Sequence, residues 1–183
     1  MIHYLLKPSR FIPDEFESSV FEIDFKSWYE QGKRVIISDL DNTLISYQES
    51  KPTPDVLTLF QTLEKMGYTI IIISNNTTNR LNVFTKDLTI DGHANARKPL
   101  LKTVKKAING YPLDTILFIG DQLMTDVWAA NRLKVTSILV NPIKRKTEKW
   151  YTRFNRRLET RMLARIKKTH RKEYDALRLD ERR

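Results

Sequence analysis

The chain predicts an α/β fold built on a doubly wound parallel sheet, and three observations carry that expectation. Short apolar runs alternate with segments of helical periodicity from residue 34 to residue 140. The run at 68–73 is apolar along its length rather than alternating, which marks a strand covered on both faces. The polar residues that stand out chemically follow directly on predicted strands, beyond the carboxyl ends where open α/β sheets bind their ligands. Right-handed crossovers through the intervening helices complete the architecture.

The elements follow in order. Residues 1–33 read as an entry segment, interrupted by Pro8 and Pro13, with a short helix within 20–30 that Gly32 closes. The first strong strand is expected at 34–39. Pro52 and Pro54 open a helix whose apolar residues Val56, Leu57, Leu59, Phe60, Leu63 and Met66 keep helical spacing until Gly67 stops it. A strand at 68–73 leads into the capping residues 74–78 and a helix to about residue 88. A short strand near 89–91 precedes Gly92, and Lys98 with Pro99 is expected to start a helix ending at Asn109 and Gly110. A strand at 115–119 runs into Gly120 and Asp121. A helix over 127–133 then leads to a last strand at 136–140, ended by Asn141 and Pro142. The expected organisation is an entry segment at 1–33, a core at 34–143 and a C-terminal extension at 144–183.

Bulk properties narrow the function classes. A chain of 183 residues suffices for one well-packed domain. It contains no cysteine, which excludes disulfides and thiolate metal sites and fits a reducing compartment. No apolar run approaches the roughly 20 residues of a membrane span, and the apolar stretch at residues 1–8 is too short for a signal peptide, so a cytoplasmic protein is expected. Charge is distributed unevenly. Residues 1–143 hold 16 basic and 16 acidic residues, whereas residues 144–183 hold 16 basic and six acidic, so the entire net charge of +10 lies in the C-terminal extension.

The stretch Asp39, Leu40, Asp41, Asn42, Thr43 follows the first strong strand. Carboxylates at i and i+2 on an extended chain project to one side, where they can share one metal ion and one phosphoryl group. One can attack phosphorus while the other manages the proton of the leaving group, which points to phosphoryl transfer on an aspartate nucleophile. Ser74 and Asn75 follow the next strand, Lys98 the third, and Asp121 and Asp126 the fourth. Taken singly, each has an ordinary structural reading: a capping turn, an N-cap, a surface lysine, a βα turn. Jointly, in order and each at a strand end, they read as chemistry.

These residues carry a resemblance. The chain is similar to phosphatases of the haloacid dehalogenase (HAD) superfamily, a Rossmann-like fold, whose four motifs correspond here to 39–43, Ser74, Lys98, and Gly120 and Asp121 through Asp126. The resemblance implies catalysis by Asp39, Asp41 and Lys98. Asp39 would form an aspartyl-phosphate, Asp41 would act as general acid and then base, and Lys98 would offset charge on the transferring group. Thr43, Ser74 and Asn75 would order the turn and bind phosphate oxygens, Asn75 through its backbone N–H at a helix start. Asp39, Asp41 (through its carbonyl), Asp121 and Asp126 would hold Mg²⁺, which all-oxygen ligation favours.

Only about ten residues separate the first motif from the next helix, and the 23 residues between Ser74 and Lys98 hold one helix and one short strand, so neither position leaves room for an inserted cap domain. An uncovered site suits a substrate too large to engulf. The chain most resembles the capless subfamily IIIA, in the branch of phosphatidylglycerophosphate phosphatases, through Leu6, Lys7 and Pro8, the motifs above, Asn141 and Pro142, and the stretch from Thr152 to Glu159. That resemblance implies a phosphorylated glycerophospholipid as substrate and peripheral contact with the inner face of a membrane. On a helix, Tyr151, Phe154, Leu158, Met162 and Ile166 fall on one arc among many basic residues. Such a helix can lie on an anionic bilayer, bind RNA, or dock its apolar stripe on the core. The alternatives are therefore an RNA- or ribonucleoprotein-binding protein with vestigial or regulatory hydrolysis, and a phosphatase on nucleic acid ends. Beyond His170 few apolar residues remain, and the segment is expected to be mobile.

Overall fold

The computed structural model describes residues 6–144 and 150–182. Six parallel strands form one sheet: β1 (Glu15–Glu17), β2 (Val35–Ser38), β3 (Thr69–Ile73), β4 (Asp91–His93), β5 (Ile116–Gly120) and β6 (Thr136–Val140). Their spatial order is β1-β6-β5-β2-β3-β4. The chain moves outward from β2 through β3 to β4, then crosses back to β5 on the other side of β2. This reversal opens a crevice above the carboxyl ends of β2 and β5, the place where such sheets bind ligands.

Alternation along the strands divides the core in two. Ile36, Ile70, Ile72, Leu117, Ile119 and Ile138 pack on one face, against α1 (Phe25–Glu30), α2 (Pro54–Lys65) and α3 (Thr78–Thr85) through Phe25, Val56, Phe60, Leu63, Leu81 and Phe84. Val35, Ile37, Ile71, Ile73, Ile116 and Phe118 pack on the other, against α4 (Lys102–Ala107) and α5 (Trp128–Leu133) through Val104, Ala129, Ala130 and Leu133. Each fully buried aliphatic side chain contributes about 1.5–3 kcal/mol of transfer free energy, so the two faces together supply most of the driving force for folding. Thr53 caps α2 by accepting from the Val56 N–H at 3.3 Å, and Gly67, at φ +93°, supplies the left-handed residue that ends it.

The expected strands and their parallel pairing are present, and four local expectations are corrected. The strand expected at 89–91 is β4, at Asp91–His93, because the ladder to Ile71–Ile73 sets its register. The following helix starts at Lys102, not at Lys98, whose backbone N–H and carbonyl are both engaged by the Asn75 side chain, at 2.6 and 3.1 Å. The entry segment is part of the sheet. Its β1, too short for a periodic signal, pairs with β6, and Phe11 and Phe16 are buried beside it. The helix expected within 20–30 is a 3₁₀ turn, Val20–Glu22, followed by α1, which Asp24 caps.

The largest correction concerns the C-terminal extension. Residues after His170 are ordered: α7 (Arg171–Ala176) and the turn behind it bury Tyr174 and Leu179. These pack with Met162 and Ile166 of α6 (Trp150–Thr169) against Phe16, Leu123, Val127 and Leu139. The buried stripe of α6 is also rotated from the expected arc. Thr152, Arg156, Glu159, Met162 and Ile166 face inward, whereas Phe154 is 55 % exposed. The polar half of that stripe is drawn in by the site described next, an attraction that apolar periodicity cannot register. The side chain of Tyr151, expected on the same arc, lies outside the described residues. Among the described residues no helix is long and apolar enough to cross a membrane.

Candidate active site

Asp39 extends β2 by one residue, donating its N–H to the Ile119 carbonyl at 2.9 Å, so its side chain emerges at the crevice. The chain then turns sharply. Asn42 adopts φ 67°, a left-handed conformation asparagine tolerates, and its N–H bonds the Ile45 carbonyl at 2.7 Å. The turn carries Asp41 clear of Asp39 and encloses Thr43, whose hydroxyl lies 3.5 Å from Asp39 Oδ2, at the outer limit of a hydrogen bond.

Asp121 follows β5, and a π-helical turn, Leu123–Val127, brings Asp126 back over the same strand end. Gly120 makes that return possible, because a Cβ there would sit 2.4 Å from the Asp126 Cβ. Ligand oxygens of Asp39, Asp121 and Asp126 lie within 4.8 Å of one another, all three side chains being buried. Lys98 enters from the loop after β4 and sets its ammonium 2.7 Å from Asp39 Oδ1 and 2.8 Å from Asp126 Oδ1. Residues 39, 98, 121 and 126 therefore converge as the sequence predicts.

The electrostatics follow from crowding. Burial drives the Asp39 carboxyl well above its usual range; Lys98 opposes that, and the charges of Asp126, Asp121 and Asp41 add to it. Burial also pushes Asp121 up to about 6, against the pull of the Arg156 guanidinium. Burial alone would lower Lys98, but the carboxylates of Asp126 and Asp39 outweigh it and hold the ammonium charged. Asp121 Oδ1 is buried with no hydrogen-bond partner among the described residues. A buried carboxylate oxygen without a donor is costly unless a cation faces it. An all-oxygen cluster with an unmet oxygen fits a hard divalent ion, and Asp39, Asp121 and Asp126 are the residues that would hold it.

The other expected residues are placed differently. The Asp41 carboxylate stands apart from the three-carboxylate cluster: Oδ1 accepts from Arg80 at 2.9 and 3.1 Å, and Oδ2 from Asn76 at 3.0 Å. Ser74 is buried on the cavity wall, its hydroxyl accepting from the Asn76 N–H at 3.0 Å. Asn75 also borders the cavity, but the helix begins only after Thr77, so its N–H is not at a helix start. Its side chain instead clamps the Lys98 backbone.

Several residues at the site have no role assigned to them from the sequence. Tyr47, Asn76, Gln122, Thr125, Thr152 and Asn155 complete the cavity, and Arg80 holds Asp41. Arg156 bonds the Asp121 carboxylate and, at 2.6 Å, its carbonyl. Arg182 bonds the same carbonyl, the Val140 carbonyl at 2.9 Å and Glu159. The stretch from Thr152 to Glu159 is visible in the sequence as part of the resemblance, but its inward face is not. No inserted cap is present among the described residues, yet α6 narrows a site expected to be uncovered.

Comparison with known proteins finds similarity at the level of family, sequence and fold. The profile of the haloacid dehalogenase-like hydrolases matches residues 11–134. The chain is 36 % identical over 160 residues to a protein named probable phosphatase YqeG of Bacillus subtilis (strain 168), covering 86 % of this chain and 92 % of that one. Its fold is similar to the crystal structure of an uncharacterized protein from Listeria monocytogenes serotype 4b, with a TM-score of 0.50 at 15 % identity over 63 % of this chain and 85 % of that one.

Proposed function

The chain belongs to the haloacid dehalogenase-like hydrolase family, and we propose that it is a Mg²⁺-dependent phosphatase that cleaves phosphomonoesters through an aspartyl-phosphate on Asp39. One observation carries this reading: a buried aspartate at a strand end, paired with a buried lysine and crowded by two further carboxylates, beside a cavity open to a ligand. The phosphatase name of its Bacillus subtilis relative supports it.

Lys98 occupies Asp39 Oδ1 and leaves Oδ2 to attack phosphorus, breaking the bond to the ester oxygen. The departing alkoxide takes a proton from Asp41. Asp41 then removes a proton from the water that attacks the acyl phosphate, releasing inorganic phosphate and restoring Asp39. Both Asp41 oxygens accept bonds from N–H donors, so delivering a proton requires Arg80 or Asn76 to yield one of them. Ser74 and the Asn75 N–H border the space for the phosphate oxygens, and Thr43 steadies the Asp39 turn. Mg²⁺ held by Asp39, Asp121 and Asp126, with the Asp41 carbonyl, would offset the repulsion between a phosphate dianion and an anionic nucleophile.

The finer reading is a phosphorylated glycerophospholipid, phosphatidylglycerophosphate, met at a membrane surface. Beside the cavity, α6 exposes Phe154 between Arg153 and its near neighbour Arg157, and Ile143, whose N–H bonds the Asn42 carbonyl, is 49 % exposed. Apolar and cationic groups together at the mouth of a site suit an anionic interface. In the test, Asp39→Asn abolishes release of phosphate from an aryl phosphate and the parent protein hydrolyses phosphatidylglycerophosphate in mixed micelles. Turnover by the Asp39→Asn variant would refute the nucleophile, and inactivity on micelles alone would remove the lipid.

A further inference from the structure

The open cavity beside Asp39 has a floor of catalytic motif residues and a wall to which the motifs assign no role. That wall consists of Tyr47 and Gln122 from the core and Thr152 and Asn155 from α6. All four are uncharged, and each side chain both donates and accepts hydrogen bonds. They meet in two pairs across the cavity: the Tyr47 hydroxyl lies 3.2 Å from Thr152 Oγ1, and Asn155 Nδ2 donates to Gln122 Oε1 at 3.4 Å. Both distances are long for groups free to choose a partner, and both bonds can be exchanged for bonds to a ligand. Neither Asn155 Oδ1 nor Gln122 Nε2 has a partner among the described residues.

Position assigns the wall to the leaving group. Tyr47 borders the cavity and also the adjoining groove lined by Asn76, Thr77, Asn79, Arg80 and Val83. Asn76 and Arg80 are the partners of the Asp41 carboxylate, so the wall stands where the ester oxygen must meet its proton donor. The helix that carries half of it is not loosely laid on the surface. One turn beyond Thr152, Arg156 is bonded to both the side chain and the carbonyl of Asp121, and Glu159 is tied through Arg182 to the end of β6. Met162 and Ile166 seat the remainder of α6. Rigid placement of this kind is what a hydrogen-bonding subsite needs in order to discriminate.

We propose that α6 takes the part of an inserted cap: Thr152 and Asn155, with Tyr47 and Gln122, form a leaving-group subsite for the hydroxyls of a polyol monophosphate. The proposal rests on the phosphatase reading above and names the substrate class of that same site. A neutral wall of bifunctional groups recognises vicinal hydroxyls better than a second anion or a flat aromatic ring, which would leave its donors and acceptors unmet.

The test compares kcat/KM for glycerol 1-phosphate and for p-nitrophenyl phosphate in full-length protein with Mg²⁺. Asn155→Leu and Thr152→Val each lower the ratio of the two by about tenfold, mainly through KM for the glycerol ester. Tyr47→Phe, which lies outside α6, shifts the ratio in the same direction and so separates recognition from loss of the helix. Parallel loss on both substrates, or an unchanged ratio in all three variants, overturns the subsite. Turnover by Asp39→Asn would instead overturn the phosphatase reading, so the two failures are distinguishable.

Discussion

Asp39 illustrates how much of this site is a problem in charge burial. Three carboxylates share one crevice with a single lysine among them, and each is stable there only because a partner or its own proton answers it. Gly120 shows the same crowding sterically. A Cβ would stand 2.4 Å from both Cβ and Cγ of Asp126, so Gly120→Ala must displace the side chain that holds Lys98. The expected outcome is a loss of about 1–3 kcal/mol in urea unfolding together with a fall in phosphatase activity. Wild-type stability in that variant would show that Asp126 has room to move. Both Asp39 and Asp126 were legible in the sequence because motif spacing reports strand ends. Arg80, which holds Asp41 from the first turn of α3, was not, because one arginine in a polar helix start looks like any solvated side chain.

At the scale of elements, α6 departs furthest from its sequence pattern. Its charge suggested a helix turned toward anionic partners, and Arg153, Arg157, Arg161 and Lys168 are indeed exposed. Arg156 is not: it is buried against Asp121 and Glu159, and this contact sets the rotation of the helix. Apolar packing does the rest. Ile166 is fully buried against the β1–β6 side of the sheet, so Ile166→Ala should lower stability by about 2–5 kcal/mol. Because the same helix carries Thr152 and Asn155, the variant should also raise KM, which steady-state kinetics on the folded fraction would show. A change under about 1 kcal/mol would mean that α6 is not part of the cooperative unit.

For the whole molecule, the cavity couples stability to pH and to metal. Burial raises the folded pKa of Asp121 to about 6, above its ordinary value of 3.8, and raises Asp39 as well. A carboxyl with a raised folded pKa contributes stability that is fully present below its unfolded pKa and is lost as pH climbs through the folded one. The metal-free protein should therefore lose stability from Asp121 between about pH 4 and pH 6, with Asp39 acting in the same direction, and remain strained at neutral pH. A divalent ion binds the ionised cluster and competes with those protons. The rise in Tm on adding Mg²⁺ should then be larger at about pH 7.5 than at about pH 5, as thermal melts with and without chelator would reveal. Equal shifts at both pH values would argue against ligation by this cluster.

Composition and pattern by themselves determined the parallel sheet, its helical crossovers and the four acidic and basic residues that meet at its rim. Buried strands and motif spacing are local properties, written into consecutive residues. Tertiary structure alone decided that β1 joins the sheet, that the segment after His170 is ordered, and that α6 turns Thr152 and Asn155 toward the cavity and Arg156 onto Asp121. Those outcomes depend on partners more than thirty residues away, such as Asp121 for Arg156 and Ser137 for Asp14. A buried ion pair between distant segments leaves no periodic trace in either of them, because what fixes each side chain is the field of the other.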